Sequence, residues 1–172
     1  MNDSAILAIA LAGLLPALSA CGDDDNPDGS AGTNFSATLS GAEEIPAVPS
    51  TATGTATFSI SGSQINYTVN VTGLLNPVAS HIHIAPPGEN GPVVLNLCGT
   101  GAPVPDCATG DGVLVTGSNG TTVPPATFDE LVAAMQAGNA YVNVHTNDGQ
   151  GQPNTGPGDM ASGEIRGQLV AE

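Results

Sequence analysis

Two runs near the middle of the chain constrain its fold most. Residues 53–60 (Thr-Gly-Thr-Ala-Thr-Phe-Ser-Ile) and 65–71 (Ile-Asn-Tyr-Thr-Val-Asn-Val) alternate polar and apolar side chains, with Ser61-Gly62-Ser63 near the turn between them. A period of two sends alternate residues to opposite faces of a strand, and two such runs about a short Gly-containing turn form a hairpin. The same grammar recurs at 34–40, 79–84, 93–97, 112–116, 141–146 and 163–170. With 23 glycines and 14 prolines, the chain is interrupted too often for long helices. The pattern predicts an all-β domain, an antiparallel Greek-key-like β-sandwich with one short helix and a core of small aliphatic side chains. The helix falls at 127–138, where Thr127 and Glu130 have capping-box spacing and Gly138 supplies a stop.

Charge narrows the partners. Sixteen acidic residues face a single basic one, Arg166, for a net charge of -15. Nothing in the chain could neutralise a phosphate backbone, so nucleic acid is excluded as a partner, and so is charge-driven docking on anionic lipid. Such a surface repels itself and favours solubility, and it suits high salt, where the repulsion is screened.

The N-terminus reads as an export device. Residues 5–20 are almost wholly apolar but too short for a comfortable membrane span, and they end in small residues as a cleaved signal does. Leu18-Ser19-Ala20-Cys21 resembles the bacterial lipobox, which implies that Cys21 becomes the lipid-bearing N-terminus of the mature protein. One departure from that pattern is the absence of Lys or Arg in Met1-Asn2-Asp3-Ser4. We therefore divide the chain into a lipoprotein signal peptide (1–20), an acidic flexible tether (21–32) and a folded domain (33–172). The expected location is the cell envelope, lipid-anchored to a membrane and facing the periplasm or exterior. In that setting Cys98 and Cys107 are expected to form a disulfide, contributing roughly 2–3 kcal/mol by closing the loop between them. A Cys-based metal site is the alternative for that pair.

The chain has three histidines, and all lie on alternating runs. His81 and His83 share one face of their strand, with Ile82 and Ile84 on the other. His145 occupies the same kind of position in 141–146, on the face of Tyr141 and Asn143. Neutral imidazoles suit copper and zinc, and two residues apart on one strand they stand about 7 Å apart at Cα, close enough to span one metal. We take His81, His83 and His145 as candidate ligands for a transition metal, copper first and zinc less favoured, with Tyr141 and Asn143 supporting them. The competing reading is a hydrogen-bonded polar face without metal. Arg166 is expected in a structural ion pair with Glu164, or with Glu43 or Glu44 from the early loop; the sharper alternative makes it an anchor for an anionic ligand. A hydrolase is poorly supported, since no Gly-x-Ser-x-Gly elbow occurs.

Four motifs in order carry a family resemblance: Leu39-Ser40-Gly41-Ala42-Glu43-Glu44-Ile45-Pro46; His81-Ile82-His83 with Gly88-Glu89-Asn90-Gly91-Pro92-Val93; Tyr141-Val142-Asn143-Val144-His145-Thr146; and Gly163-Glu164-Ile165-Arg166-Gly167-Gln168. Together they resemble the CHRD domain, named for its copies in the animal protein chordin and frequent in bacterial secreted proteins. The resemblance spans nearly all of 34–170 and implies an extracytoplasmic β-sandwich module without a settled biochemical activity. The long insert between His145 and Gly163 and the cysteine-bracketed loop depart from that pattern. The His-x-His strand followed by a lone His is also similar to the copper-ligand pattern of copper/zinc superoxide dismutases. There His81 and His83 match the paired ligands and His145 the later one, but the remaining copper ligand, the bridging histidine and the zinc set have no counterpart. The expectation is thus a lipid-anchored binding module. The alternatives are a non-metal domain that meets an extracellular protein partner, and a copper-dependent redox enzyme.

Overall fold

The alternating runs form the strands of one continuous antiparallel sheet. The computed structural model describes residues 33–99, 103–119, 122–151 and 156–172, which belong to the unit Ala31–Glu172. The proposed signal peptide, tether and lipid-bearing Cys21 lie outside the described residues. In order the strands are β1 (Asn34–Ser40), β2 (Thr53–Ser61), β3 (Gln64–Thr72), β4 (Pro77–Ile84), β5 (Val93–Gly99), β6 (Gly112–Asn119), β7 (Ala140–Thr146), β8 (Ile165–Gln168) and the short β9 (Val170–Ala171), with one helix, α1 (Phe128–Gln136), between β6 and β7. The sheet order is β5-β4-β7-β8-β1-β2-β3-β6, and β9 pairs with β1.

The sheet curls until its ends nearly meet. Asn119 at the end of β6 donates to the Asn96 carbonyl of β5 at 3.2 Å. The Tyr67 hydroxyl crosses the interior to the Leu97 carbonyl at 3.0 Å. The curl gives the sandwich-like architecture its single core, built from the inward set of each strand. Phe35, Leu39, Ile65, Val69, Ile82, Leu95, Leu97, Val142, Val144 and Ile165 are all essentially inaccessible. Burying one such side chain contributes about 1.5–3 kcal/mol relative to leaving it exposed. Leu131 and Met135, one turn apart on α1, join the same core. The helix starts where its cap requires: Thr127 accepts from the Glu130 amide, and the Glu130 carboxylate accepts from the Thr127 amide at 2.7 Å.

Two runs depart most from expectation. β6 continues through Asn119, past the expected end at Thr116, because it keeps its pairing with β3 as far as Asn119↔Ile65. The last run is broken: β8 pairs with β7 and β1, then Leu169 turns its amide to the Ala140 carbonyl and β9 pairs with β1 alone. Cys98, at the end of β5, is joined to Cys107 in a disulfide, as expected.

For function the important part is the β4-β7-β8 corner. Its register places His81 opposite Asn143 and Asn143 opposite Arg166; His83 is opposite Tyr141, Tyr141 opposite Gln168, and Ala79 opposite His145. Ile82, Val142, Val144 and Ile165 take the core face. Alternation then leaves all three histidines, Tyr141, Asn143 and Arg166 on the other face.

Candidate metal centre

That face is roofed by loops. The β4–β5 loop bends back over it, so that the Gly91 carbonyl meets His83 Nδ1 at 2.9 Å and the Gly91 amide donates to the Tyr141 hydroxyl at 3.3 Å. Glycine is required there, because a Cβ on Gly91 would stand 1.9 Å from the Ile84 carbonyl oxygen. From the segment before β8, the Ala161 carbonyl meets His145 Nδ1 at 3.0 Å. That segment is itself tied down by Glu164, which accepts from Thr146 Oγ1 at 2.6 Å, Ser50 Oγ at 2.7 Å and the Gly158 amide at 2.7 Å.

The three imidazoles converge. Each offers one ring nitrogen, and those three atoms lie within 4.8 Å of one another. His81 Nδ1 and His145 Nε2 are 3.2 Å apart. Two nitrogens each about 2.0–2.1 Å from one metal at a tetrahedral angle stand about 3.3 Å apart, so this spacing fits a shared ion as well as it fits a hydrogen bond. His83 is buried, and His81 and His145 are half-buried.

A backbone carbonyl only accepts, so it favours a proton on the ring nitrogen that faces it. The proton of His145 therefore sits on Nδ1, toward Ala161, and Nε2 carries a lone pair into the cluster. In the tautomer that a metal at Nε2 needs, the proton of His83 sits on Nδ1, toward Gly91, and Nε2 carries the lone pair. The Asn143 amide lies 3.1 Å from that nitrogen. Its oxygen Oδ1 is the atom that faces Nε2, so in the neutral ring it competes with the Gly91 carbonyl for the single proton. His81 Nδ1 either donates to His145 Nε2 or, with its proton moved to Nε2, offers a third lone pair.

The electrostatics keep these lone pairs available. Burial, and then the neighbouring His145 and His83, push His81 down to about 4. Burial lowers His83 against the opposing hydrogen bonds from Gly91 and Asn143, and it lowers His145 against the contact to Ala161. All three are neutral at pH 7, the protonation state a metal needs. The ligand group contains no carboxylate.

Tyr141 and Asn143 both serve His83. The Tyr141 ring stacks on the His83 imidazole, 4.7 Å between centroids and 6° from parallel. The Arg166 guanidinium lies 3.4 Å from the centroid of the same tyrosine ring. The expected ion pair is corrected: among the described residues none of Glu164, Glu43 and Glu44 makes a direct salt bridge with Arg166. Glu164 is taken up by Ser50, Thr146 and Gly158. Arg166 donates instead to Asn90 Oδ1 at 3.0 Å and the Glu89 carbonyl at 2.7 Å. Glu44 stays within electrostatic range of Arg166, but its burial dominates and raises its pKa to about 7. Its Oε1 is buried without a hydrogen-bond partner. The site residues that side-chain patterns missed are Gly91, Asn90 and Ala161. Two of them act through main-chain carbonyls, and only Gly91 and Asn90 lie in a motif that pointed toward them.

Fold and site together define a small all-β domain with a three-histidine cluster on the loop-covered face of its sheet. The CHRD domain family matches residues 35–153, well over half the chain, and the protein belongs to that family. No curated protein matches it. The matched span includes His81, His83 and His145 but ends before Gly163–Gln168, so the fourth motif of the resemblance lies beyond it.

Proposed function

We propose that this CHRD domain is a lipid-anchored, extracytoplasmic binding module that holds one transition-metal ion, copper first, through His81, His83 and His145. The observation that carries the reading is the convergence of three ligand nitrogens within 4.8 Å, two of them oriented by the Gly91 and Ala161 carbonyls. An all-imidazole set suits copper and zinc, and copper(II) stands highest in the general affinity order of divalent ions. Anchoring rests on the lipobox-like Leu18-Ser19-Ala20-Cys21, and mass spectrometry of the mature N-terminus tests it. The ion itself is tested by titrating the purified protein with copper(II) under electron paramagnetic resonance, beside a His81→Ala/His83→Ala variant. One tight equivalent with nitrogen hyperfine structure, lost in the variant, is the expected result. Binding that does not saturate, or that survives in the variant, retires the copper reading.

The His81–His145 contact supports a second reading. At 3.2 Å it is also a good hydrogen bond, and a module whose histidines only order a polar face would meet a protein partner through its loops. A copper-dependent redox enzyme would need turnover in addition to binding, and oxidase and dismutase assays on the loaded protein separate it from a binding module.

A further inference from the structure

Arg166 is the chain's one Lys or Arg, and its side chain is 2% exposed. A charge taken out of water is costly unless an opposite charge meets it. The groups that touch this one are an amide oxygen (Asn90), a main-chain carbonyl (Glu89) and the face of Tyr141. None carries a full negative charge, and a guanidinium has more N–H donors than those contacts use. Glu43, Glu44 and Glu89 are the carboxyl groups on the segments packed around it, and none forms an ion pair with it among the described residues. Glu44 is within electrostatic range of it, and at neutral pH its raised pKa leaves it only partly charged.

Arg166 also lines a cavity of about 190 Å³, together with Glu44, Ile45, Pro87, Gly88 and Gln168, with Ala42 and Glu43 completing its wall. Gln168 is held rigidly there, since its NH2 group donates to the Ala85 carbonyl at 3.0 Å and the Gly138 carbonyl at 2.8 Å. We infer that this cavity is a binding site, separate from the histidine cluster, for a small monocarboxylate that pairs with Arg166. The planar guanidinium fork matches the two oxygens of a carboxylate. Tyr141 and Asn90 already hold the fork in one orientation. A cavity of that size admits a short-chain acid. A protonated Glu44 adds a donor for the bound anion, whereas a charged one competes with it for Arg166.

The test is an NMR titration of the whole protein with sodium acetate at constant ionic strength, with acetamide as an uncharged control of the same shape. Saturable shifts at the Arg166 side-chain N–H, Gly88 and Gln168 with acetate and none with acetamide are expected. Arg166→Lys should weaken binding by about tenfold or more, because an ammonium cannot form the fork. Ala42→Phe, at an exposed position, fills the cavity with Arg166 left in place and should abolish the shifts in a folded protein. Equal shifts with acetamide, no saturation with acetate, or full binding in folded Ala42→Phe would each overturn the inference.

Discussion

Glu44, in the loop after β1, and His81, on β4, titrate in opposite senses. The folded state holds the Glu44 proton up to about pH 7 against a normal value of 4.5. The stability it contributes is therefore complete below pH 4.5 and is lost as the pH rises to 7. The folded state resists protonating His81 until about pH 4 against a normal value of 6.5, so that contribution is complete above pH 6.5 and is lost as the pH falls to 4. His83 and His145 act in the same direction as His81. Between pH 4.5 and 6.5 the two trends oppose each other. Glu44→Gln removes one of them, so urea unfolding of the metal-free variant should show stability climbing with pH across that window more steeply than in wild type. A slope no steeper than that of wild type would show that Glu44 is not the opposing group. Gly91→Ala acts on the histidine face through geometry: relieving the 1.9 Å approach to Ile84 pulls the carbonyl off His83. Metal affinity should fall on the order of 10–100-fold, as when outer-shell partners are lost, with the circular dichroism spectrum unchanged. Unchanged affinity would show that the Gly91 carbonyl does not orient the ligand.

At the level of elements, the strands and the helix were largely legible. β1 falls where alternation places it, at Asn34–Ser40, and the Thr127/Glu130 cap starts α1 as read. Both are local signals, decided by neighbours in sequence. Removing the cap with Thr127→Ala should cost about 1 kcal/mol. Removing the β4 core anchor with Ile82→Ala should cost about 2–5 kcal/mol. Urea melts of the two variants check both, and a smaller loss for Ile82 than for Thr127 would contradict the central place given to β4. Convergence of the histidines was legible only as a shared face, since period two says nothing about which strands are neighbours. The partners of Arg166 were not legible. Glu164 precedes it by two residues and looked like its mate, but Ser50, Thr146 and Gly158 hold that carboxylate. The groups that accept hydrogen bonds from Arg166 come instead from 89–90, half the domain away in sequence. The break at Leu169 was hidden for a similar reason: a change of pairing partner leaves the alternation intact.

At the scale of the whole molecule, the folded domain, 33–172, holds eleven of the chain's sixteen acidic residues and its one Arg, so folding concentrates like charges. Raising sodium chloride from low ionic strength to about 0.15 M, where the screening length is about 8 Å, should raise the melting temperature of the metal-free protein. A flat or falling trend in calorimetry would show that self-repulsion does not limit its stability. The order of the strands has another consequence. β1, the first strand of the domain, lies between β2 and the last two strands, β8 and β9. A hairpin such as β2–β3 can form as soon as it is made, but β1 keeps one row of amides and carbonyls unpaired until the final residues arrive. Synthesis and folding are thus out of step by the length of the domain, a non-local closure of the kind that slows folding. A chain that ends before Ile165 would keep that row open to pairing with another chain. Premature termination in this architecture would leave a sticky molecule that quality-control proteases can recognise, rather than a shortened working one.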